Sequence, residues 1–212
     1  MYAHFYRYLE EVSGRDHWFK VLLILIILLQ NPTGHAEPTP IDMFEKSKLL
    51  DKATLVVDIS EQQLYLYEGV EIQADKMIKS YPVSTSKYGI GNQKGSNKTP
   101  LGRHRIEKKI GEGAPKNMIF KARQSTGKIA KINMKGASDV ITSRIMWLKG
   151  LEPGKNAGPG KDSYQRYIYI HGTIEEDKIG QPASHGCVRM YNDDVIDLFD
   201  RVREGTIVNI IK

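Results

Sequence analysis

Alternation of apolar and aromatic side chains over residues 63–68 is the feature that most constrains how this chain can fold. The segment reads Gln-Leu-Tyr-Leu-Tyr-Glu, so Leu64 and Leu66 share one face while Tyr65 and Tyr67 share the other. A period of two is typical of a half-buried β-strand and does not match the period of an α-helix. A strand needs partners, because two strands alone bury too little surface to be stable. The segment therefore predicts a β-sheet protein.

Further strand patterns follow along the chain, separated by turn residues. Besides 63–68, strands are predicted over 55–59, 72–81, 101–109, 145–148, 167–171 and 206–211. Residues 84–102 are predicted to be loop, and the Gly- and Lys-rich stretch 111–160 is assigned only loosely, as long loops around 145–148 and a candidate lid. One helix is predicted over 192–202, with Asn192 as its cap and Val195, Leu198, Phe199 and Val202 on its apolar face. The predicted fold class is mostly β, with one or a few short helices.

The N-terminal segment is predicted to direct export. Residues 21–29 are nine consecutive apolar residues, short for a membrane span of about 20 but suited to a secretory signal. Gly34 and Ala36 resemble a small-x-small cleavage site, although the residues before the apolar run carry no net charge. We therefore predict a signal peptide over 1–36, with an uncleaved inner-membrane anchor over 18–29 as the alternative. Either way the protein is expected in the periplasm or cell envelope.

Residues 37–52 are predicted to be a linker and residues 53–212 the folded domain. The chain has 31 basic and 25 acidic residues, a formal charge of +6, and its first 36 residues carry three charges of each sign. The exported part would keep the full +6, which favours an anionic surface such as a cell-wall polymer or membrane headgroups. No nucleic-acid-binding motif is present, and export argues against that partner. A single cysteine excludes a disulfide framework and a four-cysteine zinc site within one chain.

That cysteine lies in the segment most suggestive of chemistry. Cys187 follows Gly186 and His185, and twelve residues separate Ser184 from an earlier histidine, His171, at the end of a predicted strand. An ordinary thiol is only a few per cent thiolate at neutral pH, so a nucleophilic cysteine needs a base beside it. A buried, inert thiol is the alternative. The combination with two histidines favours a reactive thiol.

The residues around the cysteine suggest roles for a catalytic site. The base, His171, needs its second ring nitrogen oriented by another group, and the nearest candidate is the Gly172 carbonyl. Backbone N–H groups of Gly186 and Cys187 in a tight turn are candidates for an oxyanion site. Arg189 is a candidate for pairing with a substrate carboxylate.

The arrangement resembles the L,D-transpeptidases with a YkuD-like catalytic domain. The resemblance rests on His171-Gly172-Thr173 followed by Ser184-His185-Gly186-Cys187-Val188-Arg189, and it is supported by the strand pair 55–58 and 63–67 and by the segments Val83-Ser84-Thr85 and Thr99-Pro100-Leu101-Gly102. It covers residues 53 to 212. Ser86 departs from the glycine that the family often has there, and Arg189 replaces an asparagine seen in some members. No separate peptidoglycan-binding module is apparent.

The resemblance implies a β-sandwich-like catalytic domain that needs no cofactor or metal. Its substrate would be the peptidoglycan stem peptide, cleaved between the third residue and D-Ala through a cysteine thioester. Transfer to an amine would form a 3→3 cross-link or attach a protein such as an outer-membrane lipoprotein. It implies Cys187 as nucleophile, His171 as base and Gly172 as its orienting carbonyl. Ser184, His185 and Gly186 would then shape the turn and oxyanion site, and Arg189 would contact substrate.

Several alternatives remain at this stage. The same nucleophile would serve an L,D-carboxypeptidase or hydrolase, because acceptor choice depends on the pocket and on exclusion of water. A non-catalytic wall-binding module is a third reading, opposed by the intact His171 and Cys187. A zinc site from His171, His185 and Cys187 is chemically conceivable but opposed by the resemblance. His185 is interpreted as a structural hydrogen-bonder and His104 as a surface or packing residue. Loop lysines 87, 94 and 98 are either solvated or meet substrate carboxylates.

Overall fold

The computed structural model describes residues 53–69, 76–134 and 139–212. The predicted export segment over 1–36 and linker over 37–52 lie outside the described residues, as does the start of the strand predicted over 72–81. Within the described ranges, no helix is long and apolar enough to span a membrane.

Ten strands and one α-helix make up the described domain. The strands are β1 (Ala53–Asp58), β2 (Gln63–Glu68), β3 (Met77–Ser84), β4 (Gly102–Ile110), β5 (Met118–Lys121), β6 (Gln124–Ile129), β7 (Ile141–Gly150), β8 (Tyr169–Thr173), β9 (Val188–Met190) and β10 (Ile207–Ile211). The helix α1 spans Asn192–Arg201, and a 3-10 turn spans Glu176–Lys178. The predicted mostly β fold class is confirmed.

The strands form one sheet that closes on itself. Their order is β4-β10-β1-β2-β3-β9-β8-β7-β5-β6, and β4 also pairs with β7. The pairing of β4 with β7 completes a circuit of eight strands, with the β5–β6 hairpin outside it. In β2 the predicted alternation is present, because Leu64 and Leu66 are buried while Tyr65 and Tyr67 remain partly exposed. The apolar sides of β1, β2, β3, β4, β7, β8, β9 and β10 then face a shared core.

The helix forms where its sequence pattern predicts it, but its first turn differs from the prediction. Val195, Leu198 and Phe199 are buried, as the 3.6-residue period requires. Asn192 is wrong as the cap: Tyr191 occupies that position, and the buried Asn192 is the first helical residue. The Asn192 backbone N–H instead donates to the Glu176 carboxylate at 2.8 Å. An acidic side chain from a neighbouring segment thus satisfies one free donor of the helix end.

The stretch assigned loosely as loop contains three strands. The hairpin β5–β6 packs beside β7, which pairs with β4, β5 and β8. Residues 142–148 of β7 are all buried, so this strand shows no alternation. The strand predicted over 145–148 lies within β7, and residues 151–160 form an irregular connection, whereas β5 and β6 were not predicted.

Candidate active site

Two short parallel strands bring the predicted catalytic residues to one face of the sheet. In the pairing of β8 with β9, His171 lies opposite Arg189. Side chains alternate along strands, so Cys187, two residues before Arg189, lies on the same face and diagonal to His171. Cys187 packs against an apolar group made of Met118, Phe120, Ile145, Trp147 and Tyr169.

The His171 ring is buried and held in one orientation. His171 is only 1% exposed. Its Nδ1 atom lies 2.8 Å from the Gly172 carbonyl oxygen. A carbonyl only accepts, so Nδ1 carries the hydrogen and Nε2 of the neutral ring is left with a free lone pair. Burial lowers the pKa of His171, against opposing effects of Asp139 and the Gly172 carbonyl. The ring is therefore arranged as a neutral base, and the predicted orienting contact is present.

Gly172 fits because there is no room for a side chain. A Cβ at this position would lie 2.7 Å from the Asn192 side-chain oxygen and 2.7 Å from the Thr142 carbonyl oxygen. The Asn192 side chain is fixed by its own bonds, donating to the Thr173 carbonyl and accepting from the Thr142 hydroxyl. The glycine thus lets Asn192, in the first turn of α1, and Thr142 approach the backbone beside His171 closely.

The Cys187 sulfur lies between two backbone groups of the segment that leads into β8. It donates to the Tyr167 carbonyl and accepts from the Tyr169 N–H, each at 3.4 Å. Tyr167 has a φ of 57°, an uncommon conformation for a tyrosine that turns its carbonyl toward the thiol. The Cys187 side chain is partly exposed. The protein around the thiol nevertheless excludes enough water to raise the pKa of Cys187 to about 12. The hydrogen bond from the Tyr169 N–H acts in the opposite direction and lowers that pKa. The thiol is thus neutral at physiological pH.

The turn before Cys187 is held by its own hydrogen bonds. The Ser184 hydroxyl donates to the Cys187 carbonyl at 2.6 Å and accepts from the Gly186 N–H at 3.1 Å. Gly186 has a φ of 122°, which favours glycine. The Gly186 N–H is therefore engaged inside the turn, contrary to its predicted role as an oxyanion donor. Ser184 and Gly186 are thus hydrogen-bonded to each other within the turn, and an oxyanion role for the turn stays a prediction.

Two distant segments brace this turn from outside. The Thr99 hydroxyl donates to the Gly186 carbonyl at 3.1 Å and accepts from the Ser86 N–H at 3.0 Å. The Ser86 hydroxyl in turn donates to the Asn97 carbonyl. The contacts of Thr99 give a structural reason for the threonine of the Thr-Pro-x-Gly segment. The Ser86 contact also accounts for serine at position 86, since its hydroxyl ties the loop ends together.

Arg189 does not have the position expected of a substrate-binding residue. Its side chain is 1% exposed, and Nη1 lies 2.7 Å from a Glu175 carboxylate oxygen. Nη2 donates to the Ala183 carbonyl, and Nε lies 3.0 Å from an Asp139 carboxylate oxygen, outside hydrogen-bond geometry. Asp139 also pairs with Nδ1 of the half-exposed His185 at 2.8 Å. The prediction of direct substrate contact is corrected: Arg189 is committed to internal carboxylates that brace the nucleophile loop.

Sequence reasoning missed both of these acidic partners. Glu175 follows His171 by four residues, and its position just after the histidine strand was a usable signal. Asp139 lies in the stretch 111–160 and carried no such signal. Among the described residues no group of three or more His, Cys, Asp and Glu side chains is placed to hold a metal ion.

An arginine from the β5–β6 turn was also missed. The Arg123 guanidinium lies 4.8 Å from the Trp147 ring centre and 5.0 Å from that of Tyr167, and it donates to the Tyr169 hydroxyl at 3.3 Å. Trp147 stacks on Tyr164 with ring centres 3.9 Å apart. The hairpin tip therefore packs on the aromatic face that also carries His171 and Cys187.

The sequence of this chain matches a known protein family and several curated proteins. The family YkuD, described as the L,D-transpeptidase catalytic domain, matches residues 52–210. YqjB of Bacillus subtilis is 49% identical over 45 residues, 21% of this chain and 26% of that protein. The Escherichia coli protein named "Probable L,D-transpeptidase YcfS" is 43% identical over 49 residues, 23% of this chain and 15% of that protein.

A solved structure gives a weaker comparison. The L,D-transpeptidase 3 of Mycobacterium tuberculosis, with a faropenem-derived adduct, aligns with 76% of this chain and 60% of its own length, at 15% identity and a TM-score of 0.46. The chain aligns with about a quarter or less of the length of the two curated relatives above.

Proposed function

We propose, on the premise that this chain belongs to the YkuD family of L,D-transpeptidase catalytic domains, that it transfers acyl groups on peptidoglycan stem peptides. The family is one of acyltransferases. The observation that carries the proposal is the placement of one thiol, Cys187, directly before β9 and on the same face as the buried, oriented base His171 of β8. The proposal specifies cleavage between the third residue of the stem and the following D-Ala.

The first half of the reaction forms a thioester. Cys187 gives its proton to Nε2 of His171 as its sulfur attacks the scissile carbonyl carbon, and the tetrahedral oxyanion collapses to expel the amine of D-Ala. His171 returns the proton to that amine. Proton transfer during attack suits a neutral pair, because neither group carries charge beforehand. We propose the Cys187 backbone N–H as the turn's donor to the oxyanion, since the Gly186 N–H is bound to Ser184.

The second half resolves the thioester. An amine gives a proton to His171 and attacks the thioester carbonyl, and the sulfur leaves as the thiol after taking that proton back. An amine on another stem gives a 3→3 cross-link, and an amine on an outer-membrane lipoprotein gives an attached protein. Water in place of the amine gives an L,D-carboxypeptidase. The neutral acceptor that reaches the thioester decides among these products.

The test is intact-mass spectrometry of the full chain incubated with a disaccharide-tetrapeptide. Wild type and Cys187→Ala are compared, with released D-Ala and muropeptide products followed in the same samples. We expect a transient acyl adduct and D-Ala release from wild type alone. Cross-linked dimers then identify a transpeptidase, and tripeptide alone identifies a carboxypeptidase. Freshly reduced wild type that gives neither adduct nor D-Ala contradicts the proposal and favours a wall-binding module.

We also propose that the protein works outside the cytoplasmic membrane, directed by residues 1–36. The support is the apolar run over 21–29 followed by small residues at 34 and 36. Intact mass of the protein recovered from the cell envelope tests this, because removal of residues 1–36 and retention of an anchor over 18–29 predict different masses. Recovery of the unprocessed chain from the cytoplasm alone contradicts export.

A further inference from the structure

A cleft lies next to the turn that precedes Cys187, with His185 of that turn in its lining. It has a volume of about 270 Å³, and its lining includes Tyr167 and His185 on the side of the thiol and Lys94 and Arg166 elsewhere. The Tyr167 carbonyl accepts the hydrogen bond of the Cys187 thiol, and His185 lies two residues before Cys187. A group bound in this cleft therefore contacts residues that adjoin the thiol.

The two cations of the cleft have no acidic partner among the described residues. The Arg166 guanidinium donates to the Lys98 carbonyl at 2.6 Å and the Gly91 carbonyl at 3.2 Å, with Ser96 Oγ at 3.5 Å, all neutral acceptors. No carboxylate of the described residues lies within ion-pair distance of Arg166 or Lys94, in contrast to the two that surround Arg189. Burial lowers the pKa of Arg166. The partly buried environment therefore disfavours the charged form of the guanidinium.

Positive charge in a concave site is best matched by an anion. Burying an unpaired charge is unfavourable unless a partner or ligand compensates it. The Arg166 charge also acts at the thiol, because it lowers the pKa of Cys187 against the stronger effect of burial. Lys94 is exposed on the same cleft, and its ammonium can reach a ligand without breaking an internal bond.

We infer that Lys94 and Arg166 form a carboxylate-binding subsite that positions the donor peptide at Cys187. This inference rests on the proposed function and adds to it the recognition of charge next to the scissile bond. The carboxylate has two sources in a stem peptide: the terminus of the departing D-Ala and the side chain of a diamino acid at the third position. The terminal carboxylate is separated from the attacked carbonyl carbon only by the amide nitrogen and one Cα. This subsite would favour donors that end one residue after the cleaved bond.

A purely structural role for Arg166 is the competing explanation, since its hydrogen bonds to residues 91, 96 and 98 stabilise that loop. Lys94 distinguishes the two explanations, because its side chain forms no hydrogen bond or ion pair within the described part of the chain. Lys94→Gln removes the charge and leaves the loop bonds intact. Lys108→Gln is the matched control, as Lys108 is an exposed lysine of β4 that does not line the cleft. Arg166→Lys keeps the charge and loses the fork of donors.

Binding is measured by calorimetry on the full chain carrying Cys187→Ala, so that no turnover intervenes. Three tetrapeptides are compared: the free acid, the form amidated at the D-Ala terminus, and the form amidated on the diamino-acid side chain. We expect binding to weaken about tenfold when the carboxylate that Lys94 and Arg166 bind is amidated. We expect Lys94→Gln to reduce that discrimination and Lys108→Gln to leave it unchanged. Which amide binds weakly identifies the source of the carboxylate.

Equal affinity for all three peptides overturns the inference. Full discrimination in the double variant Lys94→Gln/Arg166→Lys, with a thermal midpoint close to the parent's, also overturns it by assigning recognition elsewhere. Failure of the proposed function has a different signature. Wild type would then form no thioester with any of the peptides, whatever the calorimetry shows.

Discussion

Burial acts on Cys187 and His171 in the same sense, because it disfavours the charged form of each group. It raises the pKa of the thiol to about 12 and lowers the pKa of the imidazole. The resting site is then a neutral thiol beside a neutral ring, and not a thiolate–imidazolium pair. Proton transfer must accompany attack on the substrate, so the thiol should be slow toward reagents that do not bind in the cleft.

Alkylation kinetics test this neutral pair. We expect the rate of Cys187 modification by iodoacetamide to rise about tenfold per pH unit from about pH 7 to pH 9 without levelling, because only the thiolate reacts and its pKa lies far above that range. The rate is followed by intact mass, with free cysteine as the reference that levels near its ordinary pKa. A plateau reached below about pH 8 contradicts the neutral pair and indicates a stabilised thiolate.

The single glycine beside the base gives a second prediction at this scale. In Gly172→Ala the new methyl would meet the Asn192 side chain and the Thr142 carbonyl at 2.7 Å each, so the peptide carrying the orienting carbonyl must shift. We expect a fall of at least about tenfold in the rate of thioester formation, because small displacements of catalytic groups are costly. The loss in stability should be about 1–3 kcal/mol, as for other overpacked sites.

Two measurements separate the effects of Gly172→Ala. Rapid-mixing mass analysis gives the rate of thioester formation, and urea unfolding gives the loss of stability. Wild-type kinetics in this variant would show that the Gly172 carbonyl does not control the His171 ring. A loss of stability with no loss of rate per folded molecule would lead to the same conclusion.

Among the elements, the nucleophile turn depends on segments that are remote in the chain. Thr99 joins the Ser86 N–H to the Gly186 carbonyl, and all of its side chain is buried. In Thr99→Val the shape is kept and both hydrogen bonds are lost, leaving a buried backbone donor without its partner. We expect a loss of about 1–3 kcal/mol in the free energy of unfolding, together with slower acylation of Cys187.

Thr126→Val is the matched control, because its hydroxyl donates to the Ile119 carbonyl on the exposed hairpin. Urea unfolding and the acylation rate are measured for both variants. If Thr126→Val slows acylation as much as Thr99→Val does, the effect is not specific to the brace on the nucleophile turn.

An element could be predicted from the sequence when its own residues show a clear pattern of apolar and polar side chains. Alternating β2 and the amphipathic α1 face both water and core, so their patterns are visible. Strand β7 is buried along 142–148 but contains Thr142, Ser143 and Arg144, so its pattern shows no alternation and only the apolar part over 145–148 was predicted. Strand β9 has three residues, too few to show a period.

The candidate site follows the same rule. The contact of His171 with Gly172 joins neighbours in the chain and was predictable. The pairing of Arg189 with Asp139 depends on how distant segments meet, and nothing in the local pattern encodes it, whereas Glu175 follows the histidine strand directly. That is why the sequence alone suggested a substrate contact for a buried arginine.

For the molecule as a whole, a buried histidine links stability to pH. His104 on β4 is 0% exposed, with Nδ1 2.9 Å from the Gly102 carbonyl oxygen and Nε2 2.9 Å from the Ser163 hydroxyl. Of the two roles predicted for it, packing is the correct one. Burial lowers the pKa of His104 from its ordinary 6.5 to about 4. Between these values the unfolded chain binds more protons than the folded one, so stability rises with pH.

We therefore expect the free energy of unfolding to fall as the pH is lowered from about 6.5 to about 4, by about 3 kcal/mol from His104 alone. The buried His171 contributes in the same direction, because its pKa is also lowered. Urea unfolding across this range measures the slope for wild type, His104→Gln and His171→Gln. Each variant should lose part of the slope, although His104→Gln should also be less stable at neutral pH.

Acidic groups act in a separate window. Glu107, Glu175 and Asp197 have lowered pKa values, so the stability they provide is lost below their ordinary range, near and under about pH 4.5. A slope between about pH 6.5 and 5 thus reports mainly the buried histidines. If His104→Gln keeps the wild-type slope there, His104 titrates normally in the folded protein and its ring must reach water. The strand β4, which closes the eight-stranded circuit through its pairing with β7, would then be looser than the structure indicates.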